Sequence, residues 1–149
     1  MGYTQGINFI IGYLLIIGYS EFDAFWLFVH MAINRRYLLL GLYEDGFPLI
    51  NAYISIFRNM LRRLNDRLFR HLYENVEMFD ESAWIFKWFM TCYLSSFPLE
   101  MCQYVWDLVL CMGSLGLVKF AICLVTKLDK YLLLIDDACD LTQFFTSLK

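Results

Sequence analysis

The chain has 149 residues, 60% of them hydrophobic and 19% aromatic, which suits one domain with a sizeable core. Such a composition excludes a disordered polymer, because apolar side chains offset the entropy of ordering. It implies either membrane contact or an apolar surface that other protein covers. Fifteen Asp and Glu against twelve Lys and Arg leave a net charge of −3, without the basic excess by which a domain attracts nucleic acid.

Helical periodicity dominates and strand-like alternation is scarce, with only Pro48 and Pro98 to interrupt it. The first helix is predicted from Gly6 or Ile7 to about Gly18. Ser20 then caps a second helix, with Glu21 and Asp23 in the first turn to suit the dipole. Its body, Phe22–Ile33, is aromatic on most sides and is predicted to be buried, with Arg35 and Arg36 near its end. A connection over 37–47 contains the turn pair Asp45-Gly46. Pro48 opens the next helix, where its missing N–H costs nothing. Apolar residues at 50, 53, 54, 57, 60, 61, 64, 68 and 72 form one face of that helix. Arg58, Arg62, Arg63, Arg67 and Arg70 fall largely outside the stripe, as a solvated basic face or as a docking surface for acidic groups.

Asp80 is predicted to cap a helix over Glu81–Leu94, and Ser95-Ser96-Phe97 breaks it. Pro98 starts a helix over Leu99–Met112. Gly113 ends that helix, Ser114 caps another to about Ile135, and Asp136-Asp137 begins a terminal helix reaching Leu148. The fold class expected is all-α, a compact domain of about seven or eight helices over residues 1–149.

Five cysteines, Cys92, Cys102, Cys111, Cys123 and Cys139, lie in apolar helical patterns without a CxxC, and the histidines are isolated. Free buried thiols in a reducing compartment are the expectation, with no metal site. No charged segment precedes an apolar core and cleavage site, so no secretory signal is read. The longest apolar runs, Ile7–Tyr19 and Leu108–Val118, fall short of the roughly 20 residues that a membrane span needs. Peripheral membrane contact remains compatible with the hydropathy.

The stretch Tyr3-x-Gln5-Gly6-x-Asn8-Phe9 is followed by Trp88-Phe89-Met90-Thr91, Ser96-Phe97-Pro98-Leu99-Glu100 and Trp106-Asp107. In that order and approximate spacing these motifs resemble the TBC domain, which activates Rab-type small GTPases and so serves membrane trafficking. "GYTQGINF" looks like the family's YxQG motif and "SFPLEMCQYVWDL" like its SLPLE…WD motif; "FDAFWLF" and "DGFPLI" are lesser echoes. The resemblance covers nearly all of this chain, and only about the last two-thirds of a complete domain.

The resemblance implies an intracellular regulator, cytoplasmic or on the cytosolic face of membranes, which is not itself an enzyme. Its partner would be a Rab-type GTPase or a larger protein assembly, and any GTP and Mg would belong to the GTPase. Gln5 would be the glutamine finger, with its amide carbonyl accepting from the attacking water and its NH2 donating to a phosphate oxygen. Capping of the first helix is the competing reading of Gln5. Gly6 leaves room for close backbone approach. Tyr3, Gly6, Pro98, Leu99 and Glu100 are the GTPase-contacting candidates, although Pro98 and Glu100 also make a sound helix start without a partner. Asn8, Trp88, Trp106 and Asp107 belong to the structural motifs; Trp84, Trp88 and Trp106 are expected in the core.

The family's second finger is an arginine in an IxxDxxR motif upstream of YxQG, for which this chain has no room. An arginine finger supplies about 10³–10⁵ in rate. Three readings follow: a piece of a working activator, a degenerate TBC-like scaffold or assembly subunit (a pseudo-activator), or a small membrane-associated helical protein that the resemblance misrepresents. In the first two, the chain alone is expected to accelerate GTP hydrolysis only marginally.

Overall fold

The computed structural model describes residues 4–148, and the regular structure among them is helical throughout. Helix α1 (Ile7–Ile16) and α2 (Glu21–Ile33) pack against each other. The turn between them uses Gly18 at φ +106, and Ser20 Oγ accepts the Asp23 N–H at 3.1 Å as the sequence predicts. The aromatic residues of α2 do not follow the prediction. Ala24, Met31 and Ala32 are the residues buried there, while Phe22, Phe25 and Trp26 are 71, 54 and 53% exposed. A helix aromatic all round has two apolar faces, and only one of them meets a neighbour within residues 4–148.

A short 3₁₀ turn, Leu39–Leu42, leads to α3 (Pro48–Leu64), which buries Ile50, Tyr53, Ile54, Phe57 and Leu61 on one stripe. The apolar pattern continues to Leu72, but the helix does not. Asn65 takes φ −147° and ψ 75°, and its Oδ1 accepts the Leu68 N–H at 3.0 Å, starting α4 (Asp66–Arg70). An asparagine side chain competes with the helical ladder in this way. Leu68 and Leu72 stay buried beyond the break, while Leu64 is left exposed. Helix α4 runs into a π-helical turn, His71–Asn75, and His71 Nε2–H donates to the Ile135 carbonyl at 2.9 Å.

Helix α5 (Ser82–Met90) begins where the Asp80 carboxylate accepts the Ser82 N–H at 2.9 Å and its hydroxyl at 2.6 Å. Helices α6 (Leu99–Met112) and α7 (Leu115–Lys127) follow. The sharp connection between them requires Gly113, at φ +74, because a Cβ there would lie 2.0 Å from the Arg36 carbonyl oxygen. Ser114 does not cap α7 as expected; its hydroxyl is buried in a hydrogen bond with the Tyr53 phenol. The predicted helix to Ile135 also breaks at Leu128, giving a separate short α8 (Asp129–Leu132). The last helix, α9 (Ala138–Ser147), starts at Asp137, whose Oδ1 accepts the N–H groups of Cys139 and Asp140. The chain therefore carries seven longer helices and two short ones among the described residues.

Helix α7 packs on both α3 and α6, and α9 packs on α5. Aromatic rings fill the space beside α5: Trp84 stacks on Phe145 at 4.0 Å between centroids, and Trp88 meets Trp84 edge-on at 4.6 Å. Cys92 and Cys102 are buried free thiols, as predicted; burial is the main cause that pushes them up to about 12 and about 11. Cys111, Cys123 and Cys139 are exposed instead, on the outward faces of their helices or, for Cys139, in the first turn. No helix among the described residues is long and apolar enough to cross a membrane.

Candidate functional site

Tyr3 lies outside the described residues. From Thr4 the chain turns into α1 with Gly6 as the N-cap at φ +114, and Asn8 Oδ1 accepts the Gly6 N–H at 3.3 Å. Gly6 is buried against the end of α5. A Cβ at this position would stand 3.0 Å from the Met90 carbonyl oxygen and 3.4 Å from a ring carbon of Tyr43. The room that Gly6 leaves is thus filled by the chain itself. The same Met90 oxygen accepts the Tyr43 hydroxyl at 2.7 Å. Burial, with a smaller effect of Cys92, pushes the Tyr43 phenol far above its ordinary range, so it stays a neutral donor.

Beside this contact lies a cleft of about 480 Å³. Gln5, Gly6 and Phe9 form one wall, and Ala83, Phe86, Lys87 and Met90 of α5 form the other. The three-four spacing of those α5 residues places them on one face, while Trp84, Ile85, Trp88 and Phe89 face the core. Thr91 and Ser95 close the end of the cleft, joined by a 2.9 Å hydrogen bond between their hydroxyls. They are brought there by a tight turn with two left-handed residues, Cys92 at φ 46° and Tyr93 at φ 69°. Each such residue costs roughly 1–2 kcal/mol. The turn is held by the buried Tyr93 ring, whose hydroxyl donates to the Leu117 carbonyl at 2.7 Å.

Gln5 is exposed at the mouth of the cleft. The cap position belongs to Gly6, without a side-chain acceptor, and the Gln5 amide has no hydrogen bond among the described residues. An amide so placed can donate and accept toward a molecule outside the chain. Among the described residues, Lys87 supplies the one charged side chain of the lining; it is exposed and has no ion pair there. No group of His, Cys, Asp and Glu among the described residues is arranged to hold a metal ion.

Pro98, Leu99 and Glu100 are exposed at the start of α6, three to five positions beyond Ser95, but they do not line the cleft. Trp88 and Trp106 are core residues; Trp106 stacks on Tyr13 at 5.0 Å. Asp107 is exposed and makes no side-chain hydrogen bond among the described residues. The sequence motifs find Gln5 and Gly6 and include Thr91 without assigning it to a site, but they miss Lys87 and Ser95. Their signal is small and polar residues recurring at helical spacing on an otherwise aromatic segment.

This glutamine-bearing turn, seated on the helix that precedes the Ser96-Phe97-Pro98-Leu99-Glu100 segment, marks an all-helical domain with an exposed amide at its tip. The family profile described as Rab-GTPase-TBC domain matches residues 1–133, and the chain belongs to that family. It is 32% identical to GTPase-activating protein GYP5 of Saccharomyces cerevisiae, across 89% of this chain and 14% of that protein. Growth hormone-regulated TBC protein 1 of Xenopus laevis is 24% identical, across 89% of this chain and 37% of that protein. TBC1 domain family member 4 of Mus musculus is 26% identical, across 99% of this chain and 11% of that protein. The chain therefore spans well under two-thirds of the length of these relatives.

Proposed function

We propose that this chain is the part of a Rab-type GTPase-activating domain that presents the water-orienting glutamine, Gln5, to a partner GTPase. The observation that carries the reading is an exposed Gln5 amide at the lip of a cleft, held by a buried glycine and without a hydrogen bond among the described residues. Partial charge on a transferring phosphoryl group is stabilised by positioned dipoles and cations. A glutamine fixed by its backbone rather than by its side chain suits that role, since its amide remains available. Pro98, Leu99 and Glu100, beyond the cleft's far end, would add contact to the GTPase surface. The family supports a Rab-type GTPase as the partner class; a regulatory rather than enzymatic role and a location on the cytosolic side of membranes are part of the same proposal.

Among the described residues, the charged side chain lining the cleft is Lys87. The chain on its own is proposed to bind the GTPase while giving at most marginal acceleration of hydrolysis. The family match removes the ground for treating the likeness as misleading; a non-catalytic scaffold remains the second reading. Single-turnover GTP hydrolysis across a panel of Rab-type GTPases tests the first point, and robust acceleration by the chain alone would refute it. Binding to the GTPase loaded with GDP and aluminium fluoride tests the second. Gln5→Ala is expected to weaken that complex by about 100-fold, the scale of one lost transition-state donor. Equal binding by the variant would favour the scaffold.

A further inference from the structure

Charge is sharply segregated along this chain. Between positions 58 and 70 stand five arginines and one aspartate, whereas the remainder holds seven Lys and Arg against fourteen Asp and Glu. The five arginines occupy the end of α3 and the whole of α4, outside the buried stripe of Phe57, Leu61 and Leu68. Two of them are engaged by carboxylates: Arg58 pairs with the buried Glu81, and Arg70 pairs with Asp66 at 2.9 Å. Arg62 lies over the Phe69 ring at 5.6 Å and has no ion pair among the described residues. Arg63 and Arg67 are exposed and have no ion pair among the described residues. The other carboxylates nearby are Glu74, exposed on the π-helical turn, and Asp129, which accepts from Asn65 Nδ2 at 3.4 Å.

The helix break at Asn65 gives this face its second feature. Leu64, the last residue of α3, is 64% exposed and stands between Arg62, Arg63 and Arg67 in sequence. An apolar side chain bordered by cations is the pattern of a surface that meets a lipid interface, where the leucine enters and the charges stay at headgroup level. All five cations are arginine, and guanidinium groups bind phosphate oxygens in a bidentate fork that ammonium groups do not match.

We propose that the α3–α4 arginine face docks this chain onto a membrane surface bearing anionic phosphate headgroups, with Leu64 as a shallow apolar insert. The proposal is independent of the role assigned to Gln5. An acidic polypeptide is the competing occupant; the exposed leucine and the all-arginine charge favour lipid.

Flotation of the intact chain with phosphatidylcholine vesicles, with and without phosphatidylserine, tests it. Binding is expected only when the anionic lipid is present, and it should fall steeply with salt, since the field decays over about 8 Å at physiological ionic strength. Arg63→Gln with Arg67→Gln should lower the apparent vesicle affinity about thirty-fold, the factor expected of two surface arginines. Arg35→Gln with Lys119→Gln removes the same formal charge elsewhere and should leave binding within a few-fold. Circular dichroism checks that each variant is folded. Equal losses in the two pairs, unchanged binding in the Arg63/Arg67 pair, or equal binding to pure phosphatidylcholine would overturn the proposal. Failure to float with anionic vesicles together with salt-sensitive binding of polyglutamate would overturn it in favour of an acidic polypeptide.

Discussion

Gly6 is a residue whose replacement separates packing from chemistry. Its φ of +114 and the Met90 carbonyl oxygen, 3.0 Å from any added Cβ, make even a methyl group strained there. Gly6→Ala is expected to cost about 1–3 kcal/mol of stability, the range for a forced backbone conformation or an overpacked contact. Urea unfolding measures it, and no loss would mean that the turn relaxes freely. Gln5→Ala, by contrast, should leave stability unchanged while weakening the GTPase complex. The two substitutions at adjacent positions thus report on different properties. Asp80 offers a third residue-scale expectation. Hydrogen bonds from the Ser82 hydroxyl and N–H hold its carboxyl below the ordinary carboxylate range. A depressed carboxyl stabilises the fold fully above its unfolded-state pKa, and that contribution is lost as pH falls through the lower folded value. Asp80→Ala should therefore cost about 1 kcal/mol near neutral pH, as lost caps do, and the gap between variant and parent should close in strong acid.

At the scale of elements, most of the helices were legible because their caps are local. Ser20, Pro48, Asp80, Pro98, Gly113 and Asp137 all mark ends that the structure reproduces within a residue or two. The breaks at Asn65 and Leu128 were hidden because the apolar spacing runs through them; Leu68 and Leu72 remain buried although the axis has changed. Asn65 carried the available signal, a turn-forming side chain inside an otherwise regular pattern. Helix α5 ends four residues before the expected boundary because Cys92 and Tyr93 adopt left-handed geometry, which nothing in their residue types announces. That early ending places Thr91 and Ser95 in the cleft, so the polar end of the candidate site could not be read from the motifs. Gln5 and Gly6 could, because a motif match names residues without needing their surroundings. The Ser114 expectation failed for a tertiary reason, since Tyr53 takes the hydroxyl that would have capped α7.

For the whole molecule, the apolar excess noted in the composition has a location. Phe22, Phe25 and Trp26 form an exposed aromatic face on α2, with Phe22 and Trp26 in edge contact at 6.3 Å. Surfaces of this kind bind apolar dyes and promote association. Replacing Phe22 and Trp26 by Ser is expected to lower dye fluorescence and self-association in sedimentation experiments. Unfolding free energy should shift by no more than about 0.5 kcal/mol per site, as for surface changes. A large loss of stability would show that these rings support the core after all. The meeting at the Met90 carbonyl reaches further than its two contacts suggest. Residues from three distant stretches, Gly6, Tyr43 and Met90, converge on that single oxygen. Adding one residue within α5 would turn everything beyond it by about 100° and swing the pivot out from under the amino-terminal tip. The angle at which Gln5 is aimed is thus metered by the length of a helix more than seventy positions away.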